Sequence, residues 1–92
     1  MKHAGPETLE RLTSLLTDIR KLGVLTEKKP GIFYCRSRAL LHFHEHGSEI
    51  YADVRLDGTE FERLPCSTRP EQAALVAGIR RWLAAQAAKK PA

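Results

Sequence analysis

The stretch LHFHEHGSEIYADV, from Leu41 to Val54, decides the fold that we expect for this chain. At its centre Gly47-Ser48 fits a two-residue type II′ hairpin turn, in which glycine takes the first position. This turn pairs two antiparallel strands so that His42 lies opposite Asp53. Each strand then has one apolar and one polar face, and a shift of one residue would destroy that separation.

The polar face of this predicted hairpin collects the candidate binding residues. Side chains alternate between the two faces of a strand, so three histidines at every second position share one face. Leu41 and Phe43 lie on the opposite face and are expected in the core. The predicted binding face consists of His42, His44, His46, Glu49, Tyr51, Asp53 and Arg55.

An amphipathic helix is predicted on each side of the strands. Apolar residues recur at three- and four-residue steps after a proline suited to a first turn, which predicts a helix over Pro6–Leu22. Thr68 and Glu71 have the spacing of a capping box and predict a second helix that runs to about Ala88. The polar segment TEKKPG, residues 26–31, is expected to be a loop.

The segment between the helices contains three short strands and a weaker fourth, giving the order α–β–β–β–(β)–α. A sheet with one apolar face needs a cover, and two amphipathic helices supply it. We therefore expect an α+β two-layer sandwich, in which an antiparallel meander of three or four strands has both helices on one face. The predicted strands are Ile32–Arg36, Ala39–His46, Glu49–Leu56 and, most weakly, Thr59–Leu64.

Two further turns affect the outer strands. Asp57-Gly58 fits a type I′ turn, which places Phe61 on the core face. The turn at Ser37-Arg38 leaves the register open by one residue. The sequence therefore does not decide which of Phe33 and Tyr34 faces the core.

Length and composition are those of one small globular domain. The 92 residues are 42% hydrophobic and 28% charged, so we expect a single domain over residues 1–92, frayed at 1–5 and 89–92. We see no membrane-length apolar run and no signal-peptide pattern, which predicts a cytoplasmic protein without membrane contact. Cys35 and Cys66 are then expected to be reduced thiols. The net charge of +4 comes from scattered basic residues and mildly favours an anionic partner.

The pair His42 and His44 is compatible with a metal site, although an exposed antiparallel face also accepts histidines without one. Side chains two apart on a strand stand about 6.5 to 7 Å apart, so two imidazoles can reach one zinc ion. Asp53, opposite His42, is the candidate third ligand, and Cys35 would join if it faced the same way. No separate His-x-His outside residues 42–46 and no Cys-x-x-Cys accompanies the pair, so we assign no cofactor.

The same residues allow a catalytic alternative. His42 and Asp53 could form an oriented imidazole for acid–base chemistry, and Cys35 or Cys66 could act as a nucleophile beside a histidine. A flat sheet face excludes water poorly. The sequence therefore leaves enzyme activity undecided and favours a non-enzymatic role.

Binding to another macromolecule is the remaining alternative. Tyr51 and Arg55 on the face, with Arg36 and Arg38 nearby, could stack and neutralise nucleic acid, although acidic residues on the same face oppose this. An open sheet face also suits a protein partner or self-association. We predict a non-enzymatic binding or interaction module. The alternatives are a metal-binding protein or small histidine-dependent enzyme, and a nucleic-acid-binding domain.

Three short motifs resemble a family of small uncharacterised bacterial α+β domains. They are Gly31-Ile32-Phe33, Leu41-His42-Phe43-His44 and Ala52-Asp53-Val54. Some members carry a luciferase-like label, but the resemblance implies an unknown function and no light-emitting chemistry. The chain departs from the pattern after Asp57, in the segment DGTEFERLPCSTRPE (57–71).

Overall fold

The computed structural model describes residues 2–57 and 60–89, and this part of the chain forms an antiparallel sheet with helices. The mixed α+β composition is confirmed, but the sheet has six strands rather than three or four. The predicted Asp57-Gly58 turn lies partly outside the described residues, and residues 90–92 of the predicted tail lie wholly outside them. The helices are α1 (Pro6–Arg11), α2 (Thr13–Arg20) and α3 (Arg69–Lys89). The strands are β1 (Lys2–His3), β2 (Thr26–Lys29), β3 (Ile32–Cys35), β4 (Arg38–His46), β5 (Glu49–Val54) and β6 (Glu62–Pro65).

The central hairpin of β4 and β5 has the register that its turn predicts. His42 lies opposite Asp53, and His44 lies opposite Tyr51. Gly47 has a φ of 60°, a left-handed backbone angle that glycine adopts without the strain imposed by a side chain. One turn therefore sorts both strands into an apolar and a polar face.

A short strand at the start of the chain extends the polar face. The sheet order is β2-β3-β4-β5-β6, and β1 pairs separately with β4. His3 lies opposite His44, and the N–H of Ala4 donates to the carbonyl of Phe43 at 3.0 Å. Residues 2 and 3, which we expected to fray, thus occupy the part of the β4 edge that β3 leaves uncovered.

The segment 26–31, expected to be a loop, contains the edge strand β2. Glu27 lies opposite Phe33 in the β2–β3 pair. Its carboxylate accepts hydrogen bonds from Nε and Nη2 of Arg20 at 2.6 and 2.8 Å, and from the N–H of Gly31 at 2.9 Å. These contacts attach the hairpin to α2, so the strand depends on an ion pair that local propensity does not reveal.

A β-bulge in β4 settles which aromatic residue of β3 faces the core. Phe33 lies opposite Leu41 and Tyr34 opposite Ala39, which leaves Leu40 as an extra residue. A bulge interrupts the alternation of side chains, and Leu40 and Leu41 are both buried. Phe33 is buried in the core, whereas Tyr34 is only half-buried.

Strand β6 is displaced by one residue from the predicted register. Val54 lies opposite Glu62 instead of Phe61, and Asp53 lies opposite Arg63. The predicted register would have set Glu62 against Asp53, whereas the observed one gives that buried carboxylate a cation. Phe61 is 37% exposed, so its predicted place in the core is wrong.

The predicted first helix is divided at Leu12. There φ is −98° and ψ is 11°, and the N–H of Leu12 donates to Leu9, only three residues back. The hydroxyl of Thr13 donates to the carbonyl of Glu10 at 2.6 Å, which offers that carbonyl a partner other than the helix. The side chain of Leu12 remains fully buried. The second segment ends at Arg20, two residues before the predicted end.

The capping box of α3 is confirmed. One carboxylate oxygen of Glu71 accepts the N–H groups of Ser67 and Thr68, each at 3.0 Å. In return the N–H of Glu71 donates to the hydroxyl of Thr68 at 3.3 Å. These bonds satisfy donors at the start of the helix and fix where it begins.

One apolar core joins the helices and the sheet. Apart from the bulge residue Leu40, its strand members come from the face opposite the histidines. Both cysteines are free thiols. Across residues 2–57 and 60–89, no helix combines the length and apolarity that crossing a membrane requires. The core members with the least exposure include Leu12, Ile19, Phe33, Leu41, Ala52 and Ile79.

Candidate metal site on the polar sheet face

Three histidines converge on the polar face of the sheet, and we call His3, His42 and His44 the histidine cluster. One potential ligand nitrogen from each lies within 4.8 Å of the other two. The ring centroids are 4.5 Å apart for His3 and His44, 4.9 Å for His42 and His44, and 5.7 Å for His3 and His42. Two strands therefore bring three imidazoles together, one ring exposed and two half-buried.

Two ring nitrogens of the cluster are buried without a hydrogen-bond partner among the described residues. They are Nδ1 of His42 and Nδ1 of His44. Nδ1 of His44 does lie 3.1 Å from Oδ2 of Asp53, but the angles of this contact are not those of a hydrogen bond. Most buried polar atoms in proteins have a hydrogen-bond partner, so the lack of one at these two nitrogens requires an explanation.

Asp53 is held beside the cluster by Arg63. The Nε and Nη2 groups of Arg63 donate to Oδ1 and Oδ2 of Asp53 at 2.8 and 2.9 Å, a two-point contact that fixes the plane of the carboxylate. These hydrogen bonds hold the pKa of Asp53 below its usual value, although burial opposes them. The carboxylate is only 6% exposed and stays ionised next to His44.

The environment keeps the two inner imidazoles neutral. Burial lowers the pKa of His42 and of His44 below the usual value, and the attraction of Asp53 opposes this only in part. The nearby charges of His3 and Arg63 act in the same direction as burial. A neutral imidazole keeps one nitrogen lone pair for a ligand.

The predicted metal ligands are only partly brought together. Asp53 is opposite His42 in the strand register, but its carboxylate contacts His44, and it lies outside the group of three convergent donors. His3 takes the place that we expected Asp53 to fill. Cys35 does not join the group either, since it lies beside Leu40 at a cleft next to α3.

The rest of the predicted binding face is dispersed. His46 and Glu49 are exposed at the turn, and Glu49 accepts a hydrogen bond from the hydroxyl of Ser67 at 2.8 Å. Tyr51 is half-buried opposite Pro65. Arg55 donates through Nε and Nη2 to the carbonyl of Ala39 at 3.2 and 2.8 Å. Its guanidinium lies 4.6 Å from the ring centroid of Phe61, and that ring contacts His42, so Arg55 reaches the cluster only through Phe61.

Sequence reasoning missed His3 and Arg63. His3 lies in a segment with no strand pattern, and its only signal is that β4 is longer than the strand beside it. Arg63 lies in the weakest predicted strand, whose predicted register differs by one residue from the observed one. Comparison of the chain with protein-family models, curated proteins and solved structures gave no match, so the resemblance noted above stays a prediction and the site is defined by its own geometry.

Proposed function

We propose that this protein is a small metal-binding module whose histidine cluster holds one divalent transition-metal ion. The observation that carries the proposal is the convergence of three imidazoles, one of which has a buried nitrogen, Nδ1 of His42, that lacks a protein partner. Imidazole nitrogen is a preferred ligand of zinc, copper and nickel. This proposal takes up the metal-binding alternative from the sequence, in place of the interaction module that the sequence ranked first.

The spacing of the donors supports this use. Zinc binds histidine nitrogen at about 2.0 to 2.1 Å, which sets nitrogens of a tetrahedral site about 3.4 Å apart. The donors of the cluster lie within 4.8 Å of one another, so the rings need to move inward by about 1 Å. His3 is exposed and can rotate about its side-chain torsions to close this distance.

Asp53 would orient one proposed ligand, His44, in the site. Metal-bound histidines commonly present their second nitrogen to a carboxylate, which sets the orientation of the ring. The contact between Nδ1 of His44 and Asp53 assigns Nε2 of His44 to the ion. Three imidazoles then leave one tetrahedral position for water or for an exogenous ligand.

The cost of the cluster in the metal-free protein also supports the proposal. A buried nitrogen without a partner costs about 1 to 3 kcal/mol of stability, and Nδ1 of His42 is such a nitrogen. His42 and His44 lie on the sheet face opposite the apolar core, so packing of that core does not require histidine at either position. Coordination to an ion would offset this cost.

We also infer that the fold is a two-layer sandwich whose helices cover the sheet face opposite the cluster. This arrangement follows from the shared core of helix and strand residues and leaves the cluster open to an ion. Use of the same face for a protein partner, for self-association or for nucleic acid remains a prediction from the sequence, as does a cytoplasmic location. Light scattering and salt-dependent binding to single-stranded RNA test these alternatives.

Calorimetric titration of the untagged, chelator-treated protein with zinc tests the proposed function. We expect one ion per chain. At a free zinc concentration one hundred times the Kd, the stability should increase by about 2.7 kcal/mol, seen as a higher Tm. A titration with no heat and no change in Tm at about 1 mM zinc would refute the proposal.

A further inference from the structure

A second concave site lies between the end of α3 and the β3–β4 hairpin. It has a volume of about 480 Å³, and its apolar lining includes Leu40, Trp82 and Leu83. The size falls within the range of about 300 to 1,000 Å³ typical of small-molecule pockets. None of the histidines of the metal site lines it, so this cleft is separate from the proposed function.

The sequence shapes the apolar side of this cleft in two ways. The β-bulge places Leu40 toward α3, and only 2% of this residue is exposed. The indole N–H of Trp82 donates to a carboxylate oxygen of Asp57 at 3.3 Å, which fixes the orientation of the ring. An apolar ligand would therefore meet a preformed surface.

The other side of the cleft is cationic. Arg36, Arg38 and Arg55 line it, and no acidic residue does so within the described ranges. A guanidinium carries five N–H donors, and the two bonds from Arg55 to Ala39 hold that group in place while using two of them. Asp57 lies at the Trp82 end, so an anionic group is favoured only at the arginine end.

We propose that the cleft binds a small organic carboxylate with an apolar body. The carboxylate pairs with Arg36 and Arg55, whose planar forks match its geometry. The apolar body lies on Leu83 and Trp82, with the buried Leu40 beneath them. An acyl chain and an aryl group share this chemistry, and the choice between them is made by experiment.

Trp82 reports occupancy directly because it is the single tryptophan of the sequence. The full chain, treated with chelator so that no ion occupies the histidine cluster, is titrated with decanoate, with 3-phenylpropionate and with 1-decanol. We expect a saturable change in tryptophan emission with at least one carboxylate. The carboxylate that binds more tightly shows whether the cleft prefers an acyl chain or an aryl group. Decanol should bind at least about tenfold more weakly than decanoate, as loss of a charge-assisted hydrogen bond predicts. Equal binding of decanol, or no response to either carboxylate, overturns the proposal.

A pair of charge-matched variants tests the role of the arginines. Arg36→Gln should weaken carboxylate binding by about five- to tenfold. Arg80→Gln removes the same charge from α3 but lines a different groove, between α2 and α3, and should leave binding unchanged. Equal weakening by both variants would show general charge attraction and refute the site. Because the protein is metal-free throughout, either result leaves the zinc titration to be judged separately.

Discussion

His3 lies directly opposite His44 across the antiparallel pair of β1 and β4, with ring centroids 4.5 Å apart. The two residues come from opposite ends of a long stretch of chain that also contains two helices and two strands. Strand β4 supplies two histidines of the cluster, and β1 adds the third. The proposed metal site is thus a property of the folded sheet and not of a local motif.

The first prediction separates His3 from His46. His3→Gln should weaken zinc binding by more than the roughly 10- to 100-fold that loss of an outer-shell partner costs, because it removes a direct ligand. His46→Gln removes a histidine of the same strand face that lies outside the cluster, and zinc affinity should stay at the wild-type value. Competition with a chromophoric chelator measures both. Equal affinity of His3→Gln and wild type would contradict the three-histidine site.

The second prediction tests the two faces of β4. Phe43 is 2% exposed, and Phe43→Ala should lower the free energy of unfolding by about 3 to 5 kcal/mol. His46→Ala alters an exposed side chain on the other face and should change it by less than about 0.5 kcal/mol. Urea unfolding followed by tryptophan emission gives both values. The reverse order would mean that the β4 register is wrong by one residue.

The third prediction compares two glycines. Gly31 has a φ of 80°, and a Cβ there would lie 2.7 Å from Cδ2 of Leu9, so Gly31→Ala should destabilise by more than about 1 kcal/mol. Gly78 lies inside α3, where a Cβ would meet nothing closer than Arg81 at 3.9 Å. Gly78→Ala should stabilise by about 0.5 to 1 kcal/mol through helix propensity. Thermal unfolding should show that the two substitutions change the stability in opposite directions. A stabilising Gly31→Ala would contradict the described turn.

The fourth prediction concerns thiol chemistry. Burial raises the pKa of the Cys66 thiol to about 12, and none of its surface is exposed. The thiolate is the reactive form, so Cys66 should stay unmodified by Ellman's reagent at pH 8 in the folded protein. Cys35 is only half-buried and should react first. We expect one rapidly reacting thiol per chain in the folded wild type, none in folded Cys35→Ser, and two in the wild type unfolded in urea. A rapidly reacting thiol in folded Cys35→Ser would contradict the burial of Cys66.

The fifth prediction is a pH dependence of stability. Hydrogen bonds from Arg20 hold the pKa of Glu27 below its ordinary value of 4.5 in the folded protein. A carboxyl whose pKa is lowered on folding stabilises the protein above its unfolded pKa, and this contribution disappears as the pH falls through the folded pKa. The stability difference between wild type and Glu27→Gln should therefore be at most about 1 kcal/mol near pH 7 and should shrink below pH 4.5.

Arg20→Gln is the control for this pH dependence, since it removes the guanidinium that donates to Glu27. In that background the stability difference caused by Glu27→Gln should decline less at acidic pH. A difference for Glu27→Gln that grows as the pH falls would contradict the sign derived from the Arg20 contact.

The central hairpin and the start of α3 were predictable because their signals are local. Gly47-Ser48 fixes the pairing of two alternating strands, and Thr68 and Glu71 satisfy each other's backbone within one turn of helix. In both cases a few neighbouring residues contain the information. The identity of two cluster members, His42 and His44, followed from the same alternation.

The elements that the sequence did not reveal depend on contacts between distant residues. Strand β2 is held by the ion pair of Arg20 and Glu27, and the register of β6 places Arg63 against the buried Asp53. Strand β1 exists because β4 is longer than β3 and leaves an edge to pair with. His3 and Arg63 were missed for these reasons, since neither lies in a segment whose own pattern specifies its position.

The shortness of β1 has a consequence for the kinetics of ion exchange. Both of its residues are exposed. Lys2 forms an ion pair with Glu45 at 3.5 Å, but the lysine side chain is 81% exposed. Detachment of so short an edge strand costs little free energy, and it removes one ligand while the other two remain. The apparent affinity for the proposed ion would then scale with the fraction of molecules in which β1 is attached. Release of the proposed ion should begin at β1, so a substitution of Lys2 that strengthens or weakens the pairing of this strand would tune the residence time of the ion without changing any ligand.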